Sequence, residues 1–287
     1  MATQASPPAE IPGAAAVAAC AAMAVSYVAV LYAPTGLLRM PPPTSLRSYL
    51  HRRFACAAVA SVASALATAA LLRVWSLGEV SDMLAVFGIR KDHMLEAVVI
   101  PLLLTSLVYA GSFVAKLWLL SSSCGGDGDQ VGICFWQRIL HRIEAAVGDV
   151  MVWRNFVVAP VTEELVFRAC MIPLLLCGGF KIYNIIFLSP VFFSLGIQLG
   201  YTIIFGWYAA FLFLRTGNLL SPIIAHMFCN MVGLPVFSSL RTRGLASAAF
   251  LVGSISFFWF LFPATSPELY NSRLDRCSCW HGYCRWK

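Results

Sequence analysis

Long uncharged runs, interrupted by short polar and proline-rich stretches, set the pattern of the chain. A helix needs about twenty apolar residues to cross a hydrocarbon layer of about 30 Å. Ile11 to Tyr32, Phe54 to Leu72 and Ala97 to Leu120 meet that requirement. From Val150 to Phe262 the chain is apolar almost throughout, but Pro160, Pro173, Pro190, Pro222 and Pro235 break it. The pattern predicts an all-α fold, a polytopic transmembrane helical bundle of about six to eight spans.

Two linkers divide the spans. "APTGLLRMPPPTSLRSYLHRR", Ala33 to Arg53, is proline-rich and basic, and "SSSCGGDGDQ", Ser121 to Gln130, is a polar loop. The expected organisation is N-terminal transmembrane helices over 1–120, a polar loop and amphipathic segment over 121–149, a membrane core over 150–265 and a Cys/aromatic tail over 266–287. The N-terminus carries no Lys or Arg before Arg39, so the first span reads as a retained anchor and not a cleaved leader. Arg39, Arg47, Arg52 and Arg53 follow the first span, and Arg73, Arg90 and Lys91 the second, a difference too small to orient the chain.

Composition agrees with the membrane reading: 60% of the 287 residues are hydrophobic and only 11% are charged, against about a quarter charged in soluble domains. The net charge of +7 is scattered through loops and tails. It suits attraction to a lipid bilayer with anionic head groups better than nucleic acid. Cys20, Cys56, Cys170, Cys177 and Cys229 fall in apolar segments, where a free thiol behaves as a small hydrophobe.

Against this background, "VTEELVFRACMIP" places Glu163, Glu164 and Arg168 within six residues of an apolar segment. An ionisable group at membrane depth costs at least about 2.5 kcal/mol on insertion scales, so such groups are paired, wet or functional. Glu164 and Arg168 are four apart and share a helical face, which permits an ion pair. Glu163 is turned about 100° away on the face of Phe167, without an obvious local partner. A carboxylate held beside another in a low-dielectric cavity makes an effective general base near neutral pH. Solvation of all three groups at the water interface is the competing reading.

A second constellation lies downstream: "SPIIAHMFCNMVG" puts His226 and Asn230 four apart on one face. Either alone is commonly an inter-helix hydrogen-bond partner. With the Glu pair they form a hydrolytic set of a base, an imidazole and an amide able to steady an oxyanion.

Glu163-Glu164-x-x-x-Arg168, followed by His226-x-x-x-Asn230 in "RTGNLLSPIIAHMFCNMVGLP" and supported by "YTIIFGWYAAFLFLRTG", resembles the type II CAAX prenyl endopeptidases, the Ras-converting enzymes of the endoplasmic reticulum. The resemblance covers Met151 to Pro235. It implies an intramembrane, glutamate-dependent protease of the endoplasmic reticulum membrane that uses no metal and no cofactor. Its substrates would be farnesylated or geranylgeranylated CAAX proteins such as small GTPases, which lose their last three residues. By the same resemblance Glu163 activates water, Glu164 assists and Arg168 supports the doublet or the substrate. His226 positions or polarises the water or carbonyl, and Asn230 donates to the oxyanion.

One family feature is missing. The family carries a second histidine in a Phe-x-x-x-His pattern, and here Ile197 stands four residues after Phe193. The sequence runs from "FFSL" almost directly into "GIQLGYTIIFG", which reads as a deleted block and implies lost or reduced activity. Ile185 to Leu214 would make about 45 Å of continuous helix, too long for one upright span and too short for two with a loop. Either a tilted single helix or two short helices meeting near Gly196 or Gly200 is expected. The tail "RCSCWHGYCRWK" offers Cys277, Cys279, His281 and Cys284, whose spacing suits palmitoylation or reduced thiols better than a zinc knuckle. A non-catalytic binder of prenylated proteins and a transporter with a buried polar track are the rival functions.

Overall fold

Backbone N–H and C=O groups in a hydrocarbon layer must be satisfied within their own segment, which makes apolar runs helical. In the computed structural model, residues 11–36, 39–77, 80–123, 147–194, 201–237, 242 and 244–270 are described, and among them no strand occurs. The all-α membrane bundle anticipated from the sequence is present.

Helix α1 spans Gly13–Gly36 and α2 spans Leu46–Leu71. Ser45 caps α2, its hydroxyl accepting from the Ser48 N–H at 3.1 Å. The basic stretch up to Arg53, read from the sequence as linker, therefore belongs largely to α2. Its N-cap and the Tyr49–Arg53 pair, where Arg53 Nη1 donates to the Tyr49 hydroxyl at 2.7 Å, extend the helix by two turns.

A short helix α3, Val80–Val86, leads into α4, Met94–Val108, and α5, Ala110–Ser123. The span expected over Ala97 to Leu120 is present as two helices, with the chain bent by 74° between α4 and α5. Tyr109 accounts for the break. Its hydroxyl donates to the Gly233 carbonyl at 2.9 Å and its ring meets Phe228 edge-on at 5.3 Å. The Gly111–Ser112 pair just beyond permits the kink, and the contacts of Tyr109 hold it.

The central helix, α6, begins at Asp149, whose carboxylate accepts from the Met151 N–H at 2.8 Å. It runs without interruption as α-helix over Val150–Trp153, π-helix over Arg154–Val158, α-helix over Ala159–Glu164, π-helix over Leu165–Cys170 and α-helix over Met171–Cys177. Each π segment ends shortly before a proline, Pro160 or Pro173. A proline supplies no N–H to the carbonyl four residues back, which loosens the ladder where the π turns form. Val166, Phe167, Ala169, Cys170, Met171, Ile172, Leu174 and Leu175 are all buried. Such all-round burial marks α6 as the core of the bundle.

Helices α7 (Ile182–Ser194), α8 (Tyr201–Thr216) and α9 (Leu220–Val232) are 13, 16 and 13 residues long. At 1.5 Å per residue they reach about 20–24 Å, short of a full hydrocarbon layer. Helix α10, Leu245–Ala264, joins α1 and α2 as one of three helices among the described residues that are long and apolar enough to cross alone. Phe187 on α7 meets Trp207 on α8 at 5.3 Å between ring centroids. Two short helices packed side by side, not one tilted helix, therefore occupy the Ile185 to Leu214 stretch. Their connection, and with it Ile197, lies outside the described residues, as do the tail residues Cys277, Cys279, His281 and Cys284.

Close packing of α7 on α8 requires a residue without a side chain at Gly206, where an added Cβ would come within 2.9 Å of Pro190 Cβ. A Gly206→Leu variant is expected to lose about 1–3 kcal/mol of stability by overpacking. Thermal unfolding in detergent checks this; an unchanged melting temperature would contradict the contact.

Candidate active site

Glu164 is wholly buried on the last α-helical turn of α6 before the second π segment, and Arg168 is wholly buried within that segment. Their spacing brings Arg168 Nε to 3.1 Å from Glu164 Oε2, the ion pair that the four-residue spacing predicts. Arg168 Nη2 also donates to the Gly206 carbonyl on α8 at 3.5 Å. Arg168 is thus directed at protein groups and takes no part in lining the neighbouring cavity.

The other carboxylate oxygen of Glu164 reaches across to α9, where Oε1 lies 2.8 Å from His226 Nδ1. With one oxygen facing a guanidinium, Glu164 is the acceptor, so Nδ1 carries the proton and donates. In the neutral imidazole that tautomer leaves a lone pair on Nε2, which faces Glu163 Oε2 at 3.9 Å. Phe205 on α8 packs against the imidazole at 4.8 Å between ring centroids and limits its rotation. Four groups from two helices, α6 and α9, therefore form one chain, from Arg168 through Glu164 and His226 to Glu163.

Asn230 follows His226 by one turn on the same face of α9, and its Nδ2 donates to the Asn155 carbonyl at 2.8 Å. Asn155 lies in the first π segment, where the widened turn leaves carbonyls open to outside donors. One of the two N–H groups of Asn230 is occupied in this way.

Glu163 lines a cavity of about 330 Å³ between α1, α2 and α6. Val28, Leu31, Leu50, Phe54, Ala57 and Phe167 give it apolar walls, while Arg53, Arg154, Tyr27 and Tyr32 add polar groups. Thr162 Oγ1 donates to the Val158 carbonyl at 2.7 Å, so in its 2.9 Å contact with the Tyr27 hydroxyl it accepts. This bond ties α1 to α6 beside Glu163. Among the described residues no group of three His, Cys, Asp or Glu side chains is arranged to hold a metal ion.

The sequence motifs thus converge: Glu163, Glu164, Arg168 and His226 meet in one cluster, with Asn230 one turn away. Position 197 lies outside the described residues. Tyr27, Asn155, Arg53 and Arg154 have no motif to announce them. Thr162 was visible as a polar residue beside the doublet, but its partner on α1 is 135 positions away.

Comparison with known proteins bears on the same residues. A family model described as "Type II CAAX prenyl endopeptidase Rce1-like" matches residues 148–232. A CAAX prenyl protease 2 of Arabidopsis thaliana is 50% identical over 303 residues, covering 94% of this chain and 96% of the relative. The chain belongs to the type II CAAX prenyl endopeptidase family. A CAAX prenyl protease 2 of Homo sapiens is 33% identical over 282 residues, covering 88% of this chain and 82% of that protein. No solved structure matches.

The segment matched by the family model runs from the start of α6 to the end of α9 and holds Glu163, Glu164, Arg168, His226 and Asn230. Helices α1 and α2, which supply the opposite wall of the cavity, lie outside it. The Arabidopsis alignment extends over 303 residues but takes up 94% of the 287 here, about 270. Roughly thirty positions of that relative therefore have no counterpart in this chain.

Removing one partner of a buried ion pair leaves an uncompensated charge and costs about 3–5 kcal/mol. Arg168→Leu is expected to destabilise the protein by that amount, and adding Glu164→Gln to recover part of the loss. Equilibrium unfolding of the two variants in detergent measures both effects; a double variant no more stable than Arg168→Leu alone would contradict the pairing.

Proposed function

We propose that the chain is an intramembrane endopeptidase that releases the C-terminal tripeptide from farnesylated or geranylgeranylated CAAX proteins, small GTPases among them, in the endoplasmic reticulum membrane. The observation that carries this reading is the orientation of His226: Nδ1 is held by Glu164 at 2.8 Å and Nε2 is turned to Glu163 at 3.9 Å. That gap is too long for a direct hydrogen bond. In this reading a water bonded to both atoms bridges it.

In the proposed reaction Glu163 takes a proton from this water while the oxygen attacks the carbonyl carbon of the prenylated cysteine. The carbonyl oxygen becomes an oxyanion, to which the second N–H of Asn230 donates in this reading. Collapse breaks the C–N bond, and Glu163 returns its proton to the departing amine. A free tripeptide and a prenylcysteine carboxylate result. Glu164 and Arg168 are positioning residues, acting through His226. The prenyl chain contributes about 0.8 kcal/mol per buried CH₂ to membrane partitioning, which brings the scissile bond to a site between membrane helices.

Ile197 occupies the position of the family's second histidine, and this lowers the rate without removing the base. Turnover is expected to be about 100-fold or more below that of the Arabidopsis relative. The experiment is to reconstitute both proteins in vesicles and measure tripeptide released from a farnesylated CAAX peptide by mass spectrometry. Slow release, abolished by Glu163→Gln, is the expected result. A rate equal to the relative's would contradict the reduced activity, and release that survives Glu163→Gln would contradict the role of Glu163.

A further inference from the structure

The cavity is electrically lopsided. Glu163 is its acidic group, and Arg53 and Arg154 are its cationic ones. Ion pairs among the described residues engage neither arginine. Arg154 lies nine residues before Glu163 on α6, about 13 Å along the axis.

Arg53 lies at the same end as Arg154. Thr68 Oγ1 on α2 donates to the Cys170 carbonyl on α6 at 3.5 Å, and the two helices run parallel along the cavity wall. Fifteen residues earlier on each, about 22 Å back, stand Arg53 and Asn155. The Arg53 guanidinium is also held in place: it sits 5.3 Å from the Tyr32 ring centroid and 5.4 Å from that of Tyr49. Among the described residues one of its five N–H donors is hydrogen-bonded, to the Tyr49 hydroxyl at 2.7 Å. The remaining fork suits a carboxylate.

A tripeptide in extended form is about 10–11 Å long. Measured from a carbonyl at Glu163, its terminal carboxylate falls short of Arg154 by less than the length of an arginine side chain. We infer that Arg53 and Arg154 form a receptor for the terminal carboxylate of the substrate, so that the cavity counts three residues from the chain end to the bond at Glu163. The inference rests on the tripeptide-releasing function proposed above. It adds a specificity determinant from α2, outside the segment that the family model matches.

Binding tests it apart from turnover. The full chain in nanodiscs is titrated with two fluorescent farnesylated CAAX peptides, identical except that one ends in a free carboxylate and the other in a carboxamide. The acid is expected to bind at least about tenfold tighter. Arg53→Gln and Arg154→Gln should each weaken the acid severalfold while leaving the amide unchanged, and Arg53→Lys should restore part of the preference. Equal binding of acid and amide by the unaltered chain would overturn the receptor. So would variants that weaken both peptides alike, or binding governed by the anionic lipid content of the disc with no acid preference. Tripeptide release, followed in parallel, separates the two ideas: acid preference without release contradicts the proposed function, and release without acid preference contradicts the receptor.

Discussion

Withdrawing an arginine and a glutamate from water costs several kcal/mol per ion even after the surroundings relax, and Arg168 and Glu164 are both wholly buried. Each oxygen and nitrogen that faces a partner offsets part of that cost. Arg168 lies against Glu164 and also donates to the Gly206 carbonyl, so α8 must bring that carbonyl up to α6. Glu164 spends its second oxygen on His226, so α9 must present an imidazole at the same depth. Desolvation of one ion pair thereby fixes how two short helices sit on the central one.

The short helices matter for the chemistry. Helices of 13 to 16 residues cannot cross a hydrocarbon layer alone, and their ends are acceptable only where protein or water covers them. The bundle provides that cover, and the result is a polar cluster at the side of a cavity between longer helices. Glu163 lies where the two meet. Its neighbour Glu164 is bonded within the scaffold, so two adjacent carboxylates have unlike surroundings, one facing the packed helices and the other the cavity.

Much of this was legible in the sequence, for reasons that differ by residue. The Glu164–Arg168 pair follows from helical spacing and the cost of an unpaired charge, and the His226–Asn230 face follows from the same period. The 100° between Glu163 and Glu164 already separated the two carboxylates, but which helices pack on each face of α6, and so that Glu164 also meets His226, was not legible. Asn230 in contact with Asn155 depends on a π turn, which shifts carbonyls by a fraction of a turn that a regular period does not show. The break at Tyr109 arises from bonds to Gly233 and Phe228, over a hundred positions away. Arg53 was hidden more simply: a proline-rich stretch before it made its segment resemble a linker, while Ser45 caps it as helix.

The central claim is that Glu164, anchored by Arg168, sets the protonation pattern of His226 and aims Nε2 at Glu163. Nitrogen NMR of protein labelled at histidine, with His226 assigned by substitution, tests it without requiring turnover. The account predicts a protonated Nδ1 and an unprotonated Nε2 in the unaltered protein, with that pattern lost in Glu164→Gln. A protonated Nε2 beside an unprotonated Nδ1, or a pattern indifferent to Glu164→Gln, would contradict it.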